Sequence, residues 1–219
     1  MAQKRAQLLQ IDPEHPQPHR IKQAAARIEA GEIVVYPTDT IYGLAADIES
    51  RDAMEKLYRL RDLERTKPLS LITTSLSEVS RYAIVSNDCY RFMRRVLPGP
   101  YTFILGATKE VPKNMGFKKR RTVGIRIPKH AVALALAEAL GRPLLTTSAL
   151  DLERRSEADE GELFGLSDPI RLAEQYGNDA ALVLDSGILR GSPSTVIDWS
   201  EDEPVVLRVG AGDVEGLPV

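Results

Sequence analysis

The sequence predicts a single α/β domain in which helices flank one sheet. Short β-branched runs alternate with segments of helical periodicity, and glycine and proline separate the two kinds of segment. The chain of 219 residues is long enough for one large core, and 43% hydrophobic with 27% charged residues is ordinary for a globular protein. We expect the domain to cover residues 21–214, after an extended arm over residues 1–20 and before a tail over residues 215–219.

The elements follow from local patterns. Residues 11–19 are rich in proline, which is typical of an extended arm. Apolar residues at helical spacing from Ile21 to Ile28 predict a helix, and Gly31 lies where its C-terminal cap belongs. The remaining patterns predict helices over 51–62, 87–97, 132–140 and 168–176, a polar acidic loop over 151–167, and strands over 33–36, 69–72, 101–105, 123–127, 144–147, 181–185, 195–198 and 205–209.

Charge and composition narrow the function classes. The net charge is -2, so any binding of nucleotide or nucleic acid must use a local patch. The basic run from Lys118 to Arg121 could contact RNA or could be a solvated loop. Cys89 is the one cysteine, which excludes an intramolecular disulfide and fits a reducing compartment. The most apolar window, residues 131–145, is too short to span a bilayer, and no signal-like segment precedes it, so we expect a cytoplasmic protein.

No metal site is predicted. His15 and His19 lie in the proline-rich arm, where neither a rigid scaffold nor further ligands are apparent. The sequence has no cysteine or histidine cluster with zinc spacing and no Gly-rich phosphate loop. Bound phosphates would therefore need side chains and turns to hold them.

The first candidate site is the segment 36–44, which follows a predicted strand. Its threonines and Asp39 lie at the strand's end, where α/β sheets commonly bind ligands. The alternative is a plain turn in which Thr38, Asp39 and Thr40 bond to their own backbone.

Arginines supply the second group of candidates. Arg59, Arg61, Arg65 and Lys67 could bind a triphosphate or could form a solvated basic face. Arg59 and Arg61 are two residues apart, so on a straight helix they point in different directions. Arg126 ends an otherwise apolar strand, and such an arginine usually pairs with a carboxylate or a phosphate.

Six segments, taken in order, resemble the YrdC/YciO family over nearly the whole chain. They are 37–44, 98–102, 122–128, 147–148, 194–198 and 208–210. The resemblance implies an open, twisted, mixed sheet around a positively charged concave surface. It also implies a synthase that condenses threonine, bicarbonate and ATP into threonylcarbamoyl-adenylate, releases pyrophosphate and serves tRNA modification. No covalent nucleophile or catalytic base is assigned, and Mg²⁺ can accompany the ATP.

The resemblance also assigns roles to residues. Positions that contact ATP in the family are occupied here by Arg59, Arg61, Thr122, Ser148 and Arg208. Positions that line the threonine pocket are occupied by Thr40, Arg126, Thr146 and Ser194, with Arg126 as the expected partner of the threonine carboxylate.

Three departures point to the YciO branch of the family. Arg59 replaces the lysine of a Lys-x-Arg pair, Leu150 replaces the asparagine of a Ser-x-Asn motif, and Ile72 replaces a histidine. The spacing from Arg61 to Pro68 is also longer than in synthases. The two lost polar side chains predict a slow reaction, and they keep open the alternative of an RNA- or nucleotide-binding paralogue without the reaction.

Overall fold

The computed structural model describes residues 6–61, 69–112, 115, 121–150 and 167–217. Within these ranges the chain forms, in order, β1 (Gln7–Gln10), α1 (Pro18–Glu29), β2 (Ile33–Tyr36), β3 (Gly43–Asp47), α2 (Arg51–Arg61), β4 (Ser70–Ile72), α3 (Leu76–Tyr82), β5 (Ala83–Ile84), α4 (Asn87–Val96), β6 (Tyr101–Ala107), β7 (Thr122–Arg126), α5 (Ala131–Leu140), β8 (Leu144–Ser148), α6 (Pro169–Gln175), β9 (Ala180–Asp185), β10 (Thr195–Asp198) and β11 (Val205–Arg208).

All the strands join one mixed sheet. Its order is β1-β9-β2-β3-β8-β4-β7-β6-β10-β11, and β5 pairs with β6. The pairs β1–β9, β2–β9, β4–β7 and β6–β10 are parallel, whereas the others are antiparallel. The predicted class, a single α/β domain on a mixed sheet with flanking helices, is confirmed.

Helices cover the two faces of the sheet unequally. On one face, Leu57 of α2, Phe92 of α4 and Leu172 of α6 pack into a large core with alternate residues of the strands. On the other face, α1 and α5 bury a smaller core that includes Ile28 and Leu136. This second cover reaches Ile72 of β4 but leaves the same face open around Ser70 of β4 and over β7, β6 and β10, where polar side chains surround a cavity.

Local signals explain how several helices begin and end. The Asp168 side chain accepts a hydrogen bond from the Ile170 amide, and proline opens α6, as the sequence predicts. The Ser86 side chain caps α4 in the same way through the Cys89 amide. Gly141 ends α5 with a φ of 72°, a left-handed conformation that glycine adopts without steric cost.

The structure differs from the sequence prediction at both ends of the chain. Residues 7–10 of the expected arm form β1 and pair with β9, and α1 begins at Pro18 rather than after residue 20. In the expected tail, the Gly216 carbonyl accepts a hydrogen bond from Arg95 at 2.7 Å, and Leu217 packs against the core. The elements β3, α3 and β5 were not predicted.

Some predictions fall on residues outside the described ranges. These are the acidic loop, apart from Ser167, together with Arg65, Lys67, Pro68 and the basic run apart from Arg121. Across the described part of the chain, none of the helices combines the length and the apolar character that crossing a membrane requires.

Candidate functional site

A cavity of about 410 Å³ lies on the partly uncovered face of the sheet. This volume is within the usual range for sites that bind small molecules. Its walls come from strands on both sides of β4 and from the end of α2. The lining residues that carry polar side chains are Tyr36, Thr38, Tyr42, Arg61, Ser70, Thr102, Arg126, Thr146, Thr147, Ser148, Ser194 and Arg208.

The strand register orders these side chains into rows that run across the sheet. Arg126 pairs with Ile72, and the Phe103–Ile125 pair sets Thr102 beside Arg126. Thr102 in turn pairs with Val196, and Val196 pairs with Arg208. We call Arg126, Thr102, Val196 and Arg208 the arginine row.

Two further rows lie on the same face, because every second residue of a strand points the same way. Thr146, Ser70, Gly124 and Ile104 are successive cross-strand partners, and we call them the middle row. Two residues beyond it lie Ser148 on β8 and Thr122 on β7, which we call the hydroxyl row. Neighbouring rows are separated by two residues of strand, or about 7 Å.

A carboxylate and two hydroxyls hold Arg126 in the cavity wall. Its Nη2 donates to the Asp39 carboxylate, to Thr40 Oγ1 at 2.7 Å and to Thr38 Oγ1 at 3.1 Å. Its Nε is buried and has no hydrogen-bond partner among the described residues. All of its hydrogen bonds to described residues therefore come from a single nitrogen, Nη2.

Asp39 connects two loops of the site. Its second carboxylate oxygen accepts a hydrogen bond from the Lys129 amide at 2.9 Å, so Asp39 joins the β2–β3 loop to the β7–α5 loop. Burial lowers the pKa of the adjacent His130, and the Arg126 charge lowers it further, whereas Asp39 opposes both effects. The pairing of Asp39 with Arg126 was not predicted, and the expected threonine carboxylate is thus not the only anion that Arg126 can contact.

A β-bulge turns Arg208 toward the cavity. The β10–β11 register shifts between Val196, which pairs with Arg208, and Ile197, which pairs with Val206. Leu207 is therefore the extra residue, and both Leu207 and Arg208 line the cavity. Burial lowers the pKa of Arg208, and the nearby charge of Arg126 lowers it further.

Arg208 is anchored by neutral groups. Its Nη2 and Nε donate to the Ser194 carbonyl at 2.7 Å and 3.1 Å, and Ser194 Oγ lies 2.9 Å from Thr102 Oγ1. No carboxylate contacts Arg208 within the described ranges. Arg208 was expected among the nucleotide contacts, but it lies in the same row as Arg126, at the other side of the middle row from Ser148.

The structure separates the expected phosphate-binding pair. Arg61 is 6% exposed, lines the cavity and donates from Nε to Thr147 Oγ1 at 3.2 Å. Arg59 is exposed and does not belong to the cavity wall. Two residues of helix rotate a side chain by about 200°, so the two arginines cannot converge while α2 stays helical. Arg61 alone of the two lines the cavity, and the binding of phosphate by the pair stays a prediction.

Tyr36 and Thr146 form the closed side of the cavity. The Tyr36 hydroxyl lies 2.8 Å from Thr146 Oγ1, which donates to the Leu44 carbonyl at 3.1 Å. Burial raises the pKa of Tyr36 to about 12, so the phenol stays protonated. A Cβ on Gly43 would lie 2.8 Å from the Tyr36 ring, which explains why the motif has glycine there.

Besides Arg59, two further predicted site residues do not line the cavity. Thr40 is 2% exposed and lies behind Arg126, which it holds through its hydroxyl. Thr122 is on the face of the cavity but at the far end of β7 from Arg126. Tyr36 belongs to the first candidate segment, 36–44, whereas no role was predicted for the lining residues Ser70 and Thr102, although alternation along their strands could have indicated both.

The two residues that depart from the synthase pattern are both buried. Leu150 is 4% exposed and absent from the cavity wall, and its carbonyl accepts hydrogen bonds from Gln175 and Tyr176. Ile72 is fully buried next to Arg126 and packs under α5. Neither side chain offers a polar group to a ligand.

The fold and this cavity define a YrdC-like domain. Residues 26–210 match the model of the Sua5_yciO_yrdC family, which is described as "Telomere recombination". The chain belongs to this family.

Relatives extend the comparison. The YciO protein of Escherichia coli, itself uncharacterized, is 40% identical over 210 residues, which are 96% of this chain and 98% of that protein. Its crystal structure superposes with a TM-score of 0.89 over 97% of this chain and 99% of the other. The threonylcarbamoyl-AMP synthase of Mus musculus is 36% identical over 187 residues, which are 82% of this chain and 62% of that protein.

A ligand-bound relative has the same fold. The crystal structure of Pyrococcus abyssi Sua5 complexed with L-threonine superposes with a TM-score of 0.80 at 28% identity, over 93% of this chain and 57% of that chain. The chain thus spans about three fifths of the length of the synthases it matches, whereas it spans nearly all of YciO.

No metal centre is apparent in the residues with assigned positions. Among them, no three histidine, cysteine, aspartate or glutamate side chains come together as metal ligands. The described cavity wall also lacks aspartate and glutamate.

Proposed function

We propose that this protein binds ATP and threonine in the cavity and, with bicarbonate, forms threonylcarbamoyl-AMP and pyrophosphate. The observation that carries the proposal is the position of Arg61, Arg126 and Arg208 around one small cavity in a chain of this family. Homology to threonylcarbamoyl-AMP synthases supplies the reaction class.

The chemistry explains why cations and hydroxyls would suffice. Threonine and bicarbonate give a carbamate and water. A carbamate oxygen then attacks the α-phosphorus of ATP, the bond from that phosphorus to the bridging oxygen breaks, and pyrophosphate leaves with the electron pair. Both reactants are anions, so the site must screen their charges and align them. No side chain has to act as a nucleophile.

We assign the threonine end of the site to the arginine row. All internal bonds of Arg126 in the described structure come from Nη2, and Nε is buried, so Nη1 is the nitrogen that we assign to a carboxylate. Ser194 and Thr146 supply hydroxyls on either side, and Thr40 holds the guanidinium from behind. We also move Arg208 to this end, since its charge lacks a carboxylate partner in the described structure.

We assign the nucleotide end to the hydroxyl row and Arg61. Ser148 and Thr122 lie in this row, and Arg61 is bonded to Thr147 beside Ser148. Arg59 is left out because its side chain is exposed away from the cavity. A Mg²⁺ ion that accompanies ATP would be held by phosphates and water, because the described cavity wall has no carboxylate.

A second candidate function is binding without the reaction. The burial of Leu150 and Ile72 favours it, since two polar groups of the synthase pattern are replaced by core residues. The protein would then be a nucleotide- or RNA-binding paralogue, with RNA contact centred on the basic run that ends at Arg121.

One assay separates the two candidates. The protein is incubated with ATP, Mg²⁺ and bicarbonate, with and without threonine, and pyrophosphate is quantified. The synthase proposal predicts pyrophosphate that depends on threonine and disappears in Arg126→Ala. Binding of ATP by calorimetry without any threonine-dependent pyrophosphate would favour the binding paralogue instead.

A further inference from the structure

Ser70 is a lining residue to which neither the sequence nor the family resemblance assigns a role. It lies on β4 in the middle row, between Thr146 on β8 and Gly124 on β7. Its side chain is partly exposed and faces the cavity. Its position is therefore central on the cavity floor.

The Ser70 hydroxyl has no partner inside the described protein. Most other lining hydroxyls do have one: Thr146 contacts Tyr36, Thr102 contacts Ser194, and Thr147 contacts Arg61. Among the described lining residues, Ser70 and Ser148 are the hydroxyls without such a bond. Because hydroxyl groups in folded proteins are usually hydrogen-bonded, a free one on a cavity floor is available to a ligand.

Gly124 creates the space that the hydroxyl occupies. A Cβ on Gly124 would collide with Ser70 Oγ, so the hydroxyl lies over the bare backbone of β7. The side chain of Thr146 on the other flank is turned to Tyr36 and Leu44. The Thr146 hydroxyl already donates its proton to the Leu44 carbonyl, so Ser70 is the hydroxyl of the middle row that can donate to a ligand.

The rows fix where this donor lies relative to the two ends of the site. Under the proposed function, threonine binds at the arginine row and the nucleotide at the hydroxyl row. The middle row is about 7 Å from each. The carbamate oxygen and the α-phosphorus must meet between the two ends, which is where Ser70 lies.

We propose that the Ser70 hydroxyl donates a hydrogen bond to the carbamoyl-phosphate junction of bound threonylcarbamoyl-AMP. This inference rests on the proposed function and adds a contact to it. A donor already held at this position stabilises charge that develops on the oxygens of the junction. Ligands that lack the junction should not depend on Ser70.

The test uses a non-hydrolysable sulfamate analogue of threonylcarbamoyl-AMP, together with threonine alone and adenosine alone. Calorimetry gives the Kd of each ligand for the parent, for Ser70→Ala and for Ser80→Ala. Ser80 is an exposed control on α3 whose hydroxyl bonds only to the Leu76 carbonyl. We expect Ser70→Ala to weaken binding of the analogue about fivefold, the usual effect of one hydrogen bond, and to leave the two fragments within twofold of the parent.

A second variant displaces the hydroxyl without removing it. Gly124→Ala places a Cβ where Ser70 Oγ lies, and we expect the same selective loss for the analogue, with thermal unfolding as the check on folding. Unchanged affinity of Ser70→Ala for the analogue, or equal losses on all three ligands, would overturn the inference while the proposed function stands. A parent that binds no analogue at all would overturn the proposed function, and the role of Ser70 with it.

Discussion

Asp39 and Arg126 form a buried ion pair that ties the β2–β3 loop to the end of β7. Each side chain is 10% exposed, and the Asp39 carboxylate also accepts a hydrogen bond from the Lys129 amide. The pair compensates one of the cationic charges of the cavity and fixes the orientation of its guanidinium. Arg126 consequently serves both the stability of the fold and the binding of a ligand.

The first prediction concerns this pair. Asp39→Asn leaves Arg126 buried without its counter-charge, which typically costs about 3–5 kcal/mol of unfolding free energy. An anionic ligand can then replace the lost carboxylate, so phosphate should raise the melting temperature of the variant more than that of the parent. Urea unfolding and thermal scans with and without phosphate measure both effects.

Asp88→Asn is the control for this prediction. Asp88 pairs with Arg91 on α4, where both side chains are mostly exposed, so its loss should change stability little. Equal destabilisation by the two variants would show that the buried Asp39–Arg126 pair contributes no more to the free energy of unfolding than an exposed ion pair does.

The second prediction compares the two arginines of α2. Arg61→Ala should weaken ATP binding about tenfold, because it removes a charged donor from the cavity wall. Arg59→Ala is the matched control on the same helix, and its exposed side chain should matter less than twofold. Calorimetric titration of ATP into the two variants and the parent gives the comparison. Equal losses of affinity would show that Arg59 and Arg61 both contribute to ATP binding.

The fold was largely predictable because most elements carry a local pattern. The run Ile33–Tyr36 and the run Thr195–Asp198 match their predicted strands residue for residue. The strand β3, Gly43–Asp47, was missed because its small residues lack a strand pattern and follow a turn-forming segment. The strand β1 was missed because Gln7–Gln10 is an edge strand, whose order depends on pairing with β9.

Most of the residues that form the site were predictable, but the long-range contacts between them were not. Helical rotation already indicated that Arg59 and Arg61 point apart, and the structure agrees. The Asp39–Arg126 pair joins residues 87 positions apart, and no local pattern encodes such a contact. The bulge at Leu207 depends on the register with β10, so the sequence alone could not have indicated how Arg208 reaches the cavity.

The third prediction concerns Leu150. The family pattern predicts that asparagine at this position would speed the reaction, but the Leu150 side chain is buried outside the cavity wall. We therefore expect Leu150→Asn to lower the free energy of unfolding by about 1–3 kcal/mol, because an amide is buried without a dedicated partner. The rate of adenylate formation should change less than twofold. A tenfold gain in a single-turnover assay would mean that the asparagine reaches the substrates after all.

The fourth prediction is that stability depends on pH through Asp47, the last residue of β3. Burial raises the pKa of the Asp47 carboxyl, but hydrogen bonds from the Arg142 guanidinium and the Glu49 amide outweigh it, and the pKa lies below its ordinary value of 3.8. A carboxyl whose pKa is lowered by folding stabilises the protein above its unfolded pKa and loses that contribution as the pH falls through the folded pKa.

Urea unfolding as a function of pH tests this sign. Asp47→Asn should be less stable than the parent at pH 7, and the difference should shrink as the pH falls below 3.8. Arg142 contacts both oxygens of the Asp47 carboxylate, at 2.9 and 2.5 Å. If the difference in unfolding free energy between parent and variant stays constant down to pH 3, the stabilisation by this contact does not depend on the protonation of Asp47.

The most direct test of the central claim follows the carbon of bicarbonate. The protein is mixed in a single turnover with ATP, threonine and carbon-labelled bicarbonate, and nucleotides are separated by chromatography. We predict label in an adenylate that forms only when threonine is present, in equal amount to pyrophosphate, and is lost in Arg126→Ala and Arg61→Ala. Unlabelled nucleotides from a parent that still binds ATP and threonine would contradict synthesis of threonylcarbamoyl-AMP in this cavity.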